Sequence, residues 1–131
     1  MSGWIVLVTV AALLLYFYMG TLVARARRKH GVPAPAISGN PEFERTFRVQ
    51  MNTLEWLPIF LPVLWICGAY WDDRIVAAVG VIWIVGRVMY MQGYIKAADQ
   101  RSMGFSIQAI AVLLLLVASA VGAIMALVGS G

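Results

Sequence analysis

Residues 41–60 read PEFERTFRVQMNTLEWLPIF and open a long apolar segment that nevertheless carries charge. At 100° per residue, four of its polar side chains share an arc of about 80° on one helix face: Arg45, Arg48, Asn52 and Glu55. Charged groups in a membrane span are costly unless they face a partner or a wet cavity. The stretch therefore predicts a membrane helix with one polar, functional face.

A second polar stripe lies in residues 86–101, GRVMYMQGYIKAADQR. If a single helix runs unbroken to the end of this segment, four side chains share an arc of about 60°: Arg87, Tyr90, Tyr94 and Arg101. We expect the two stripes to meet and to form the functional site.

The composition excludes a water-soluble globule, because 62% of the 131 residues are hydrophobic and only 12% are charged. Four segments are long enough to span a bilayer, which takes about 20 residues; they cover residues 3–24, 47–70, 75–95 and 103–128. The prediction is a single all-α domain over residues 1–131, an integral membrane four-helix bundle.

The net charge of +4 does not indicate nucleic-acid binding. Basic residues cluster in RARRK (residues 25–29) and along the two stripes, rather than forming a patch that could follow phosphates. A basic cluster just after a span marks the cytoplasmic side. The first and third loops, and both stripes, are thus expected to lie towards the cytoplasm.

The counts of reactive residues exclude several kinds of site. Cys67 is the only cysteine and His30 the only histidine. The chain therefore has no internal disulfide and no histidine metal cluster, and we expect no metal. We expect no Cys/His catalytic pair either, since Cys67 lies mid-span and His30 in the first loop. In the last span, small residues recur every fourth position at Ala118, Gly122 and Ala126, which predicts close helix contact there.

The stripes suit a small zwitterionic peptide with an extra carboxylate, such as glutathione. Arginines bind carboxylates in a bidentate manner, Glu55 offers a partner for an ammonium group, and Tyr90 and Tyr94 offer neutral hydrogen bonds. An arginine close to the sulfur would favour the nucleophilic thiolate. The alternative is structural: pairs such as Arg48 and Glu55 could be ion pairs that join the helices of the bundle.

Both segments resemble a known family, the MAPEG proteins (membrane-associated proteins in eicosanoid and glutathione metabolism). FERTFRVQMNTLEWLPIF is similar to the second-helix signature FERxxRxQxNxxE, and GRVMYMQGYIKAADQR to the third-helix signature RxxYxxGY with an arginine seven positions after the last tyrosine. The resemblance covers residues 25 to about 105. It is closest to the branch that holds leukotriene C4 synthase and microsomal glutathione transferases 2 and 3.

The resemblance implies a homotrimer that binds glutathione as co-substrate between neighbouring subunits near the cytoplasmic face. It implies that Arg101 activates the thiol and that Arg28 acts on a lipophilic substrate. By the same resemblance, the glutathione contacts are Arg27, Arg48, Gln50, Asn52, Glu55, Tyr90 and Tyr94. Gln50 lies about 200° round the helix from Arg48, so another helix or subunit would have to supply that wall of the site.

Trp56 departs from the pattern, since the leukotriene branch has tyrosine at the matching position beside Glu55. We assign Trp56 to the glutathione site as well. Its indole can donate one hydrogen bond but cannot accept one, so the departure bears mainly on substrate preference.

The predicted function is that of a membrane-bound glutathione transferase. It would conjugate lipophilic electrophiles from the bilayer or reduce peroxides, in a bacterial inner membrane or an endoplasmic reticulum. One alternative is a non-catalytic binding protein of the same fold, such as the lipoxygenase-activating member of the family, but the presence of Arg101 favours the enzyme. A small multidrug transporter is the other alternative; those proteins carry an acidic residue in the first span, and residues 3–24 contain none.

Overall fold

A computed structural model describes residues 2–130 and has four long helices. They are α1 (Gly3–His30), α2 (Pro41–Tyr70), α3 (Asp73–Lys96) and α4 (Ser102–Ser130), with a 3₁₀ turn at Ala98–Gln100 before α4. Each is long and apolar enough to cross a membrane, and there is no strand within residues 2–130. The predicted all-α, four-helix membrane architecture is confirmed.

Local signals set the helix ends. The Asn40 side chain accepts a hydrogen bond from the backbone N–H of Phe43, and Pro41 occupies the first turn of α2. The Asp72 carboxylate accepts from the first N–H groups of α3. Helix α1 ends at Gly31, whose φ of 65° lies in the left-handed region that glycine adopts without strain.

The first and third loops lie at the same end of the bundle, which we call the polar end. There α1 and α3 finish and α2 and α4 begin. Lys29 Nζ lies 3.3 Å from a carboxylate oxygen of Glu42, and Arg45 Nε donates to the carbonyl oxygen of Ile95 at 3.1 Å. Arg45, one member of the first stripe, therefore joins α2 to the end of α3.

The core of the bundle is apolar and centred on two stacked aromatic rings. Phe60 and Trp83 have ring centroids 3.9 Å apart and planes 5° apart, and Ile5, Leu64 and Leu115 lie in the same buried cluster. Large apolar side chains on the outer faces of α1 and α4 remain exposed, as expected of surfaces that meet lipid or another subunit.

Helices α3 and α4 approach most closely where two glycines face each other. A Cβ atom on Gly104 would lie 2.2 Å from the backbone nitrogen of Tyr90, and one on Gly86 would lie 2.7 Å from that of Gln108. The predicted small-residue contacts in α4 are correct at Gly122, which packs against Tyr70. Ala126 is exposed in the protomer, and close contact there stays a prediction.

Candidate functional site

A fully buried arginine joins the two polar stripes. Arg87 is 0% exposed; its Nη1 donates to Asn52 Oδ1 at 3.0 Å and its Nη2 to Thr53 Oγ1 at 2.6 Å. Its guanidinium carbon also lies 4.4 Å from the centroid of the Tyr90 ring, a cation–π contact. The sequence placed Arg87 in the second stripe, but neither the stripe nor the family resemblance assigned it a contact with glutathione.

Aromatic rings link the predicted site residues of α2 and α3 with α4. Tyr90 contacts Tyr94, with centroids 5.4 Å apart, and Phe105, at 6.0 Å. Phe105 in turn meets Trp56 in an edge-to-face contact at 5.6 Å. Trp56 therefore packs against this cluster of aromatic rings. Phe105 was missed because nothing in the sequence distinguishes it from the other four phenylalanines.

Arg101 lies beyond the end of α3. The condition stated for the second stripe, one helix running unbroken to Arg101, is not met: α3 ends at Lys96, and Ala97 is extended, with φ −162° and ψ 139°. The 3₁₀ turn then folds the chain back, and the Arg101 guanidinium lies 5.4 Å from the centroid of the Tyr94 ring.

Gly93 makes this return possible. A Cβ atom at this position would lie only 2.2 Å from the carbonyl oxygen of Gln100, so a larger residue would push the turn away. Arg101 also donates to the carbonyl oxygen of Ala98 within the turn. The closeness of Arg101 to Tyr94 therefore depends on the turn and not on helix periodicity.

Three charged residues predicted to bind ligand are exposed and lie outside any ion pair in the described chain. Arg28, Arg48 and Glu55 are all exposed, and the close charge pairs found within residues 2–130 involve only Glu42. The structural alternative, in which Arg48 and Glu55 join helices of one protomer as ion pairs, does not occur there. Such charges on membrane helices are favourable only where they meet water, a headgroup, a ligand or a neighbouring subunit.

Arg27 and Gln50 point away from Asn52 and Tyr90. Arg27 donates to the carbonyl oxygen of Ala36 at 2.7 Å and lies 4.8 Å from the Phe43 ring centroid, so it stabilises the first loop. The Gln50 amide packs against Gly20 of α1, with Nε2 3.2 Å from where a Cβ atom would stand. The protomer thus brings Asn52, Trp56, Tyr90, Tyr94 and Arg101 together, and leaves Arg27 and Gln50 apart from them.

The sequence model of the MAPEG family matches residues 5–121, most of the chain. The chain belongs to the MAPEG family. The resemblance inferred from the two helix signatures is therefore confirmed.

Several MAPEG-like relatives are similar over most of this chain. An uncharacterized protein of Synechocystis sp. is 45% identical over 114 residues, 87% of this chain and 83% of its own length. Leukotriene C4 synthase of Cavia porcellus is 38% identical over 115 residues, 88% and 77% of the two chains. Microsomal glutathione S-transferase 2 of Homo sapiens is 43% identical over 88 residues; the match covers 67% of this chain and 60% of the human protein.

Proposed function

We propose that this chain is a membrane-bound glutathione transferase that acts on lipophilic electrophiles. The observation that carries the proposal is the position of Arg101, held against Tyr94 at the end of the bundle where α2, which carries the exposed charges of Arg48 and Glu55, begins. The names of the relatives, a microsomal glutathione S-transferase and a leukotriene C4 synthase, support it.

The exposed charges suit the two ends of glutathione. The Glu55 carboxylate pairs with the ammonium group, and the Arg48 guanidinium binds a carboxylate in a bidentate manner. Asn52, Tyr90 and Tyr94 contribute uncharged hydrogen-bonding groups. Arg48 and Glu55 are thereby each paired with an opposite charge on the ligand.

A homotrimer completes the site. Because Arg27 and Gln50 face away from Asn52 within one protomer, a cyclic interface is needed to bring them to the glutathione held by a neighbour. The exposed apolar faces of α1 and α4 supply surface for subunit contact and for the bilayer. A lipophilic substrate then arrives from the membrane, with Arg28 beside it.

Catalysis uses the fixed charge of Arg101. A thiol with a pKa near 8.5 is mostly protonated at neutral pH, and a guanidinium beside the sulfur favours the thiolate. Arginine stays charged and so does not act as a base. In conjugation the sulfur lone pair forms a C–S bond while the leaving group departs with its electrons; in peroxide reduction two glutathione molecules become one disulfide as the peroxide becomes alcohol and water.

The polar end of the bundle lies on the cytoplasmic side in this proposal, since RARRK at residues 25–29 follows the first span. The protein is multi-pass, in a bacterial inner membrane or an endoplasmic reticulum.

Ultraviolet difference spectra of the purified protein, titrated with glutathione near neutral pH, test the proposal. We expect a thiolate band that Arg101→Ala removes, with kcat lowered on the order of 10²–10³-fold and a smaller change in binding. Arg101→Lys should keep part of the band, because a point charge remains while the planar fork is lost.

Arg74→Ala is the matched control, since Arg74 is an exposed arginine at the opposite end of α3; both band and turnover should persist. Glutathione binding without a thiolate band in the wild-type protein would indicate a non-catalytic binding protein instead. A band and turnover unchanged in Arg101→Ala would place thiol activation elsewhere.

A further inference from the structure

Arg87 carries the only buried charge among the site-forming helices, yet it faces no carboxylate among the described residues. We propose that Arg87 is a positioning residue: it fixes the Asn52 side-chain amide so that its NH₂ group donates to a carboxylate of glutathione. The inference rests on the proposed function and deepens it, because it assigns the kind of group that Asn52 recognises.

The orientation of the Asn52 amide follows from hydrogen-bond chemistry. A guanidinium has donors only, so the Asn52 atom 3.0 Å from Arg87 Nη1 must be the oxygen. The NH₂ group then points the other way. Asn52 is half-buried, and this NH₂ group makes no hydrogen bond within residues 2–130. It is a donor left for an acceptor that the protomer does not supply.

Arg87 can hold this orientation because it cannot turn away. Its second nitrogen donates to Thr53 Oγ1 at 2.6 Å, and the Thr53 hydroxyl in turn donates a hydrogen bond to the carbonyl oxygen of Val49 at 2.9 Å. The Tyr90 ring lies against the guanidinium at 4.4 Å. Turning the guanidinium away inside the core would break both hydrogen bonds and leave Nη1 and Nη2 without partners, as Nε already is, which is costly.

The same buried charge favours an anionic acceptor over a neutral one. Without a carboxylate partner in the described chain, its positive charge acts on whatever binds beside Asn52. A second guanidinium lies nearby, since Arg101 is 5.4 Å from the centroid of the Tyr94 ring, which itself packs against Tyr90. A carboxylate meets both requirements, because it accepts hydrogen bonds and carries negative charge.

A merely structural role for Asn52 makes a different prediction. If Asn52 served only to satisfy Arg87, then Asn52→Asp would be harmless, since a carboxylate is a better acceptor for a guanidinium. If its NH₂ group recognises a ligand carboxylate, Asn52→Asp replaces the donor by an acceptor of like charge. The two roles are therefore separated by ligand preference.

The test compares glutathione with two analogues, each with one carboxylate converted to a carboxamide, by titration calorimetry on the purified protein. For Asn52→Asp we expect the Kd for glutathione to rise at least about tenfold, the value of a hydrogen bond to a charged group. For one of the two analogues the variant should bind better than it binds glutathione, which reverses the wild-type preference.

A double-mutant cycle links this effect to Arg87. Arg87→Met should weaken binding, and in that background Asn52→Leu should cost much less than in wild type, because the amide is already free to rotate. Arg87→Lys, which keeps the charge but not the planar fork, gives an intermediate loss and serves if the methionine variant does not fold. Ser119→Ala, which removes a buried hydroxyl that donates to Val63, is the control and should leave Kd unchanged.

Unchanged ligand preference in Asn52→Asp, or additive effects in the cycle, would overturn the role of Arg87 while the proposed function stands. A wild-type protein that does not bind glutathione would overturn the proposed function and this inference with it.

Discussion

Gly93 lies where the chain folds back after α3, and replacing it by alanine should displace Arg101. The added Cβ atom would lie 2.2 Å from the carbonyl oxygen of Gln100 and 3.1 Å from its carbonyl carbon. Ordinary contacts between such atoms are near 3.5 Å, so the turn must move by about 1 Å. Arg101 follows the turn directly and must move with it.

The effects of Gly93→Ala on the free energy of unfolding and on the rate of turnover can be estimated separately. Alanine is about 1 kcal/mol better than glycine in a helix, and local crowding costs about 1–3 kcal/mol; the two partly offset each other. The free energy of unfolding should thus change by about 2 kcal/mol or less. Misplacing a catalytic group by about 1 Å can cost about 10²-fold in rate, which corresponds to about 2.7 kcal/mol in the activation free energy. The activation free energy should therefore change by somewhat more than the free energy of unfolding.

The measurements are turnover at saturating glutathione, the thiolate band and thermal unfolding, made side by side. Gly129→Ala is the matched control: it adds the same methyl group to α4 where no atom lies within 4 Å, and it should leave turnover unchanged. Turnover of Gly93→Ala within twofold of wild type, with a full thiolate band, would show that the position of Arg101 does not depend on this turn. If the Arg101→Ala variant also showed normal turnover and a full thiolate band, Arg101 would have no role in the mechanism.

Three further predictions concern binding, packing and assembly. Glu55→Gln should raise the Kd for glutathione well over tenfold, since losing one member of a desolvated charge pair costs about 2–5 kcal/mol; an unchanged Kd in calorimetry would sink the assignment. Gly104→Ala should lower the unfolding temperature more than Gly93→Ala does, because its Cβ atom would meet the α3 backbone 2.2 Å away at Tyr90 and a packed helix yields less than an exposed turn; an unfolding temperature equal to that of Gly93→Ala would contradict this. Native mass spectrometry should show three copies of the 14.4 kDa chain, and tight glutathione binding by a monomer would refute the shared site.

The sequence alone determined the four membrane helices and the polar character of two of them. Hydropathy over about 20 residues and the period of 3.6 are local properties, so they can be read without knowing how the helices pack. The helix signatures likewise determined the family, because motif spacing is written in the chain. The shared end of the first and third loops followed from the alternation of spans.

Only the tertiary structure decided which polar side chains turn inward. Arg87, Tyr90 and Tyr94 lie on one face of α3, but Arg87 alone meets Asn52 and Thr53, because the packing of α2 against α3 selects it. Gln50 turns to α1 for the same kind of reason. Helix periodicity shows which residues share one face of a helix, but not which helix that face contacts.

The position of Arg101 also required the fold. Neither proline nor glycine stands between Lys96 and Arg101, so helix periodicity alone could extend the stripe as far as Arg101. In the protein α3 ends before Ala97, and the chain then turns back over Gly93, because a glycine there leaves room for the Gln100 carbonyl. That contact joins residues seven apart across the end of a helix, and helix periodicity does not predict it.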